Sequence, residues 1–237
     1  NIANTCIVCN DIRTISISNF KQAFQKYFNL SDKDISHLDK NFFTYQYKIL
    51  CWRYYMMSKI ENEESFNIKN ILTGLKKKYD FLNDGKRSFL TKVTEKDSSI
   101  NKNMILLVID IKKYDNEYVL ELSDGYVSVY SVITQVNPIK TLLDKNIIIA
   151  SNKLNIGLAK IEKVEDFKVY INIFYNSLSK AHYTSKLGVC KNKHLLKNIG
   201  NLRTDGGEVS LVDVIVLKKY DYMYMTIPLK TNMHQLS

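Results

Sequence analysis

Four cysteines and four histidines are the residues of this 237-residue chain best suited to holding a metal. Cys6-x2-Cys9 and Cys190-x3-His194 have the internal spacings of zinc half-sites. They would form a Cys3His set if the two ends of the chain met. Neither half has a second pair close by, so the plainer reading is reduced thiols and a surface histidine, with no metal and no cofactor. His37, His182 and His234 have no partner at a readable spacing. Asp205-Gly206-Gly207 lacks the Lys-Ser/Thr and the following helix that a phosphate-cradling loop needs. Asp110 and Asp213 stand singly in strand-like segments, where an aspartate is ordinarily structural. No Ser-His-Asp spacing stands out. No catalytic residue is assigned, and the chain is expected to bind and not to catalyse.

The charge says what it would bind. Residues 69–102 hold nine Lys/Arg against four acids, and residues 186–203 hold five against none. The two excesses together equal the formal charge of the whole chain, +10. Such a balance favours a polyanion: nucleic acid, an acidic protein or an anionic surface. A membrane is disfavoured, because the longest apolar run, residues 104–109, cannot span a bilayer. Tyrosines 118, 126, 130, 170 and 175 lie among lysines in the second half, and aromatics beside cations are what a single-strand groove uses for stacking and phosphate contact. The candidate nucleic-acid residues are Lys112, Lys113, Tyr126, Tyr130, Lys168, Tyr170 and Lys186. About half of the aromatics of a small barrel point inward as core.

Two different periods must position these residues. Phe42, Tyr45, Ile49, Trp52 and Met56 form one helical stripe, and Phe43, Tyr47, Leu50, Tyr54 and Met57 form another. A helix with two such stripes is covered on two sides and belongs at the centre of a helical domain, with Trp52 as a core residue. The aromatics from Phe20 to Phe28 predict a helix before it, and Ser31-Asp32 caps a short one through Leu38. Ile68, Ile71, Leu72, Leu75 and Tyr79 predict a further helix with Lys76, Lys77 and Lys78 at its C-terminal end. Phe89, Leu90 and Val93 predict another, after a turn at Asn83-Asp84-Gly85. From Met104 the period becomes two. Strands are expected over 104–111, 118–122, 126–133, 147–150, 167–173 and 209–217, with a hairpin turn at Ser123-Asp124-Gly125 and a short helix over 138–143. The fold class is therefore α+β, an N-terminal all-α helical domain (1–102) packed on a C-terminal OB-type Greek-key β-barrel (103–237). Four cysteines make no disulfide framework, no secretory signal is visible, and without an initiator Met the chain is read as part of something longer.

Particular strings carry a resemblance. Residues 42–57 with Tyr47 and Trp52-Arg53, then Leu75-Lys76-Lys77-Lys78-Tyr79-Asp80, then Lys86-Arg87-Ser88 through Lys92, Glu95 and Asp97 resemble the helical domain of the breast cancer type two susceptibility protein family. Leu106 to Ile111, Leu122-Ser123-Asp124-Gly125-Tyr126, Tyr183 to Gly188, and Asp205-Gly206-Gly207 through Ile215 resemble that family's first OB fold. The matches run in the family's order over about residues 20–220. The resemblance implies a recombination mediator acting in the nucleus, in repair of double-strand breaks by homologous recombination. It implies single-stranded DNA, a strand-exchange recombinase bound through regions outside this chain, and a small acidic protein named for split-hand/split-foot malformation as partners. The residues it offers to the acidic partner are Trp52, Arg53, Lys76, Lys77, Lys78, Lys86 and Arg87. The alternative is an RNA-binding or translation-associated OB protein.

Overall fold

The computed structural model describes residues 17–38, 41–61, 66–165, 168–191 and 194–219, together with the backbone of a short antiparallel pair, β1 (Val8–Cys9) and β2 (Ile12–Arg13). Helices come first: α1 (Ile17–Phe28), α2 (Asp32–Ile35), α3 (Phe42–Glu61), α4 (Ile68–Asn83) and α5 (Phe89–Thr94). Ser31 caps α2 in a capping box with Asp34, and the Asn67 and Ser88 side chains accept from the third residue beyond them to start α4 and α5. Phe20, Phe24, Phe43, Tyr47, Leu50, Ile71, Leu75 and Tyr79 close one core, with Phe20 and Tyr47 rings 4.7 Å apart. Each such side chain contributes about 1.5–3 kcal/mol on burial.

Two expectations about these helices need correction. Only the first half of α3 is covered: Phe42, Phe43, Tyr47, Ile49, Leu50 and Cys51 are buried, whereas Trp52 and residues 54–58 are half-buried. Trp52 is therefore a cleft residue and not a core residue. The lysines 76–78 lie in mid-helix, since α4 continues to Asn83, and so they cannot serve its C-terminal dipole.

The second half is a sheet with strand order β7-β8-β5-β4-β3-β6-β9. Its members are β3 (Met104–Lys113), β4 (Tyr118–Ser123), β5 (Ser128–Ile133), β6 (Lys153–Ile156), β7 (Ala159–Glu165), β8 (Lys168–Ile173) and β9 (Leu178–Lys180), with β10 (Gly188–Val189) also on β3. All pairs are antiparallel except β5 with β8. Helix α6 (Ile139–Asp144) lies between β5 and β6. The inner face carries Leu106, Val108, Leu120, Leu122, Val129, Ile133, Leu154, Ile156, Val169 and Ile171. Leu90, Val93 and Ile100 join this core, so α5 packs with the sheet and the two cores part near Gly85, ahead of residue 101.

Two expected strands do not form. Residues 147–150 end α6 instead: the amides of Ile147 and Ile148 both donate to the Leu142 carbonyl, and positive φ at Asn146 (54°) and Ser151 (78°) breaks any extended run. Of 209–217, only β12 (Leu211–Val212) is a strand, paired in parallel with β11 (Leu196–Lys197); beyond it no strand among the described residues takes up the backbone, and Ile215, Val216 and Leu217 are exposed.

Candidate nucleic-acid interface

The period-two alternation of β4, β5 and β8 sends Val129, Ile133, Val169 and Ile171 inward and leaves Glu121, Tyr130 and Tyr170 outward. Tyr130 and Tyr170 are register partners in the parallel β5–β8 pair, and their rings lie 5.7 Å apart at 38°. Lys168 Nζ stands 5.7 Å from the Tyr130 ring centre, and Lys163 Nζ 5.0 Å from that of Tyr170. Two half-exposed rings with a cation beside each form a platform on the outer face, where Lys163 also pairs with Glu165 (3.1 Å). Partial burial, then the Glu121 charge, raises the Tyr130 phenol above its ordinary range, so its hydroxyl stays protonated at neutral pH.

Lys112 pairs with Val119, which pairs with Val132, and cross-strand partners share a face; Lys112 therefore joins the platform side. Lys113 pairs with Tyr118 and belongs to the opposite face, 5.4 Å from that buried ring, with the Tyr118 hydroxyl donating to Asp144. Lys163 escaped the sequence reading. A bulge between Ile161 and Lys163 shifts β7 by one residue and brings Lys163 opposite Tyr170.

Tyr126 is not on the platform. It stacks on Phe81 of α4 with ring centres 4.8 Å apart, beneath Lys78 Nζ at 3.7 Å, and burial pushes its phenol up to about 12. It belongs to the joint between helices and sheet, which is built around the turn 123–125. The Asp124 carboxylate accepts from the amides of Leu90 (2.9 Å), Tyr126 (3.0 Å) and Val127 (3.3 Å). Tyr45 bonds the hydroxyls of Ser123 and Ser128, and Gln46 Nε2 (3.0 Å) and Lys78 Nζ (3.1 Å) donate to the Gly125 carbonyl.

The residues offered to an acidic partner divide. Lys76 pairs with Asp80, Lys86 with Asp84 (2.9 Å), and Arg87 with both Glu95 (2.6 Å) and Asp97. Lys77 is exposed. Trp52, Arg53 and Lys78 line a cleft with Lys153 and Lys186, so Lys186 faces that cleft.

Asp205-Gly206-Gly207 has a structural use. The Asn176 side chain donates to the carbonyls of Arg203 (2.8 Å) and Gly207 (2.9 Å) and accepts from the Arg203 amide (2.9 Å). A Cβ on Gly206 would lie 2.4 Å from Asn176 Oδ1, so the loop can close on that side chain only with glycine there. Cys6, His234 and the side chain of Cys9 lie outside the described residues. Among the described residues no group of three His, Cys, Asp or Glu side chains is placed to hold a metal, and no helix is long and apolar enough to cross a membrane.

Residues 88–191 match the family model described as BRCA2, oligonucleotide/oligosaccharide-binding, domain 1. The matched stretch begins at the N-cap of α5 and ends just beyond β10, which is the extent of the sheet core, and it leaves α1–α4 outside. This segment is a match to the first OB fold of the BRCA2 family.

Proposed function

We propose that this chain is a recombination-mediator piece that binds single-stranded DNA on the outer face of β5, β7 and β8. The observation that carries the reading is the Tyr130–Tyr170 pair flanked by Lys163 and Lys168. Stacking of a base on an aromatic side chain contributes about 1–3 kcal/mol, and the lysines supply phosphate contacts. The position shares β5, the third strand of the sheet, with the strand 2–3 face that OB folds use for oligonucleotides. In this reading the sheet is a closed barrel. β6 on β3 and β7 on β8 are separated by Gly157-Leu158 alone, so one bent strand links the two sides of the strip, with β9 beyond β6. The helices and the sheet act as two domains joined rigidly at the 123–125 turn. The chain acts without catalysis, in the nucleus, in homologous recombination. It also meets a small acidic protein through exposed cations of the helical half, Lys77 foremost, since Lys76, Lys86 and Arg87 already hold carboxylates of their own.

The test is fluorescence anisotropy with a labelled oligothymidylate. Tyr130→Ala and Tyr170→Ala each weaken binding by about 5- to 150-fold, equivalent to 1–3 kcal/mol. Unchanged affinity in both variants removes the platform from the reading. The alternative, an RNA-binding or translation-associated protein, is favoured instead if structured RNA outcompetes the oligothymidylate.

A further inference from the structure

The half-covered end of α3 faces the sheet across a cleft of about 400 Å³, a volume in the range of small-molecule sites. Its walls are Trp52, Arg53, Met56 and Met57 of α3, Lys78 of α4, Asp124 and Tyr126 of the turn, Lys153 of β6 and the loop 183–187. Four cations line it against a single carboxylate. That carboxylate is committed, because Asp124 accepts from three backbone amides.

Two of these cations, Lys78 and Lys153, are held in place. Lys153, only 9% exposed, donates through Nζ to the carbonyls of Tyr183 and Ser185 (2.7 Å) and so fixes the loop that forms one wall. Lys78 is fixed by the Gly125 carbonyl and the Tyr126 ring. Each ammonium has three protons, so neither is used up by these contacts. Burial first, and the Arg53 charge as well, bring both Lys78 and Lys153 down to about 8. Positive charge therefore converges on a partly buried cleft, an environment that favours an anion.

We propose that this cleft binds a small phosphate-bearing ligand of nucleotide size, its phosphates held by Arg53, Lys78 and Lys153 and its body lying against Trp52, Met56 and Met57. A phosphate monoester concentrates a charge of about −1.5 to −2 at one point, which matches cations converging from three elements better than carboxylates spaced along a peptide do. The planar Arg53 fork suits a phosphate in particular. The site is separate from the Tyr130–Tyr170 platform and does not depend on it.

Trp52 is the sole tryptophan of the chain, so its fluorescence reports the cleft directly. Titration of the full chain with ADP should give a saturable change in that emission. Arg53→Gln, at an exposed position that leaves the fold alone, and Lys153→Met should each weaken it at least about tenfold, a loss of about 1.4 kcal/mol. Lys153→Arg, which keeps charge and donors, and Tyr130→Ala should retain it. Calorimetry at pH 8 should show proton uptake, seen as an enthalpy that varies with the buffer's ionisation heat, because the ligand returns Lys78 and Lys153 to their charged forms in the presence of Arg53, Lys186, Asp124 and Tyr126. Exposed lysines would give no such uptake. The proposal is overturned by any of four results: no saturation at millimolar ADP, equal weakening by Lys77→Gln, a buffer-independent enthalpy, or displacement of ADP by a glutamate-rich peptide that binds more tightly. An oligothymidylate that displaces ADP and is insensitive to Tyr130→Ala would place the DNA strand here and overturn it too.

Discussion

Asp124 shows at the scale of one residue how the two halves are joined. Its carboxylate accepts amides from α5 and from its own turn, and the turn in turn receives α3 and α4. Hydrogen bonds to a charged group contribute about 1.5–3 kcal/mol each, and their loss strands buried N–H groups. Asp124→Ala should therefore destabilise the protein by about 3 kcal/mol, read as a lower urea midpoint; a change within about 0.5 kcal/mol would show that water replaces the carboxylate without cost. The same residue marks how far the sequence could be read. Ser123-Asp124-Gly125 is legible as a turn, but nothing in the string reveals that Leu90, thirty-four residues earlier, donates to it. On the platform, Tyr130 and Tyr170 follow from simple alternation. Lys163 does not, because a bulge moves it across the sheet, and Lys153 opens a strand with no outward sign that its ammonium is buried.

Among the elements, those with strong periodicity and local caps were legible, and those whose conformation depends on a distant neighbour were not. Helices α3 and α4 and strands β3, β4, β5 and β8 lie where the stripes and alternations put them. Three consecutive isoleucines at 147–149 have strand propensity, yet the need to terminate α6 overrides it, with Asn146 and Ser151 in left-handed backbone. Residues 209–217 alternate well, but among the described residues only Leu196–Lys197 pairs with them. The hairpin between β4 and β5 works only with glycine at its apex: Gly125 has φ 93°, and a Cβ there would stand 2.9 Å from Lys78 Nζ. Gly125→Ala should cost about 1–3 kcal/mol through left-handed strain and should also loosen Lys78. Hydrogen exchange at the α4 and turn amides is the check, and unaltered protection there would mean the joint does not rest on this contact.

For the whole molecule, the joint makes stability depend on alkaline pH in a definite way. Lys78 and Lys153 lose their protons at about 8 in the folded protein, against an ordinary 10.5. Between those values the unfolded chain holds more protons, so raising the pH favours the folded state. Tyr45 and Tyr126 are pushed up to about 12, so above pH 10 the folded chain holds more protons and the trend reverses. The urea midpoint should rise from pH 7.5 to about 9.5 and fall beyond 10, with Lys153→Met flattening the rise; a monotonic fall from pH 7.5 would contradict the burial of both lysines. The distribution of charge over the molecule also sets its response to salt. Removing Lys163 and Lys168 together should lower the slope of log affinity against log salt for single-stranded DNA by about 1.4.

The central claim, a stacking platform on the outer face of β5, β7 and β8, is tested most directly by mapping amide chemical-shift changes as a short oligothymidylate is added to the full chain. Saturable shifts at residues 128–132, 161–165 and 168–172, with the 183–187 loop unmoved, are the predicted result. Shifts confined to the α3–α4 face, or no shifts at concentrations that saturate anisotropy, would contradict it.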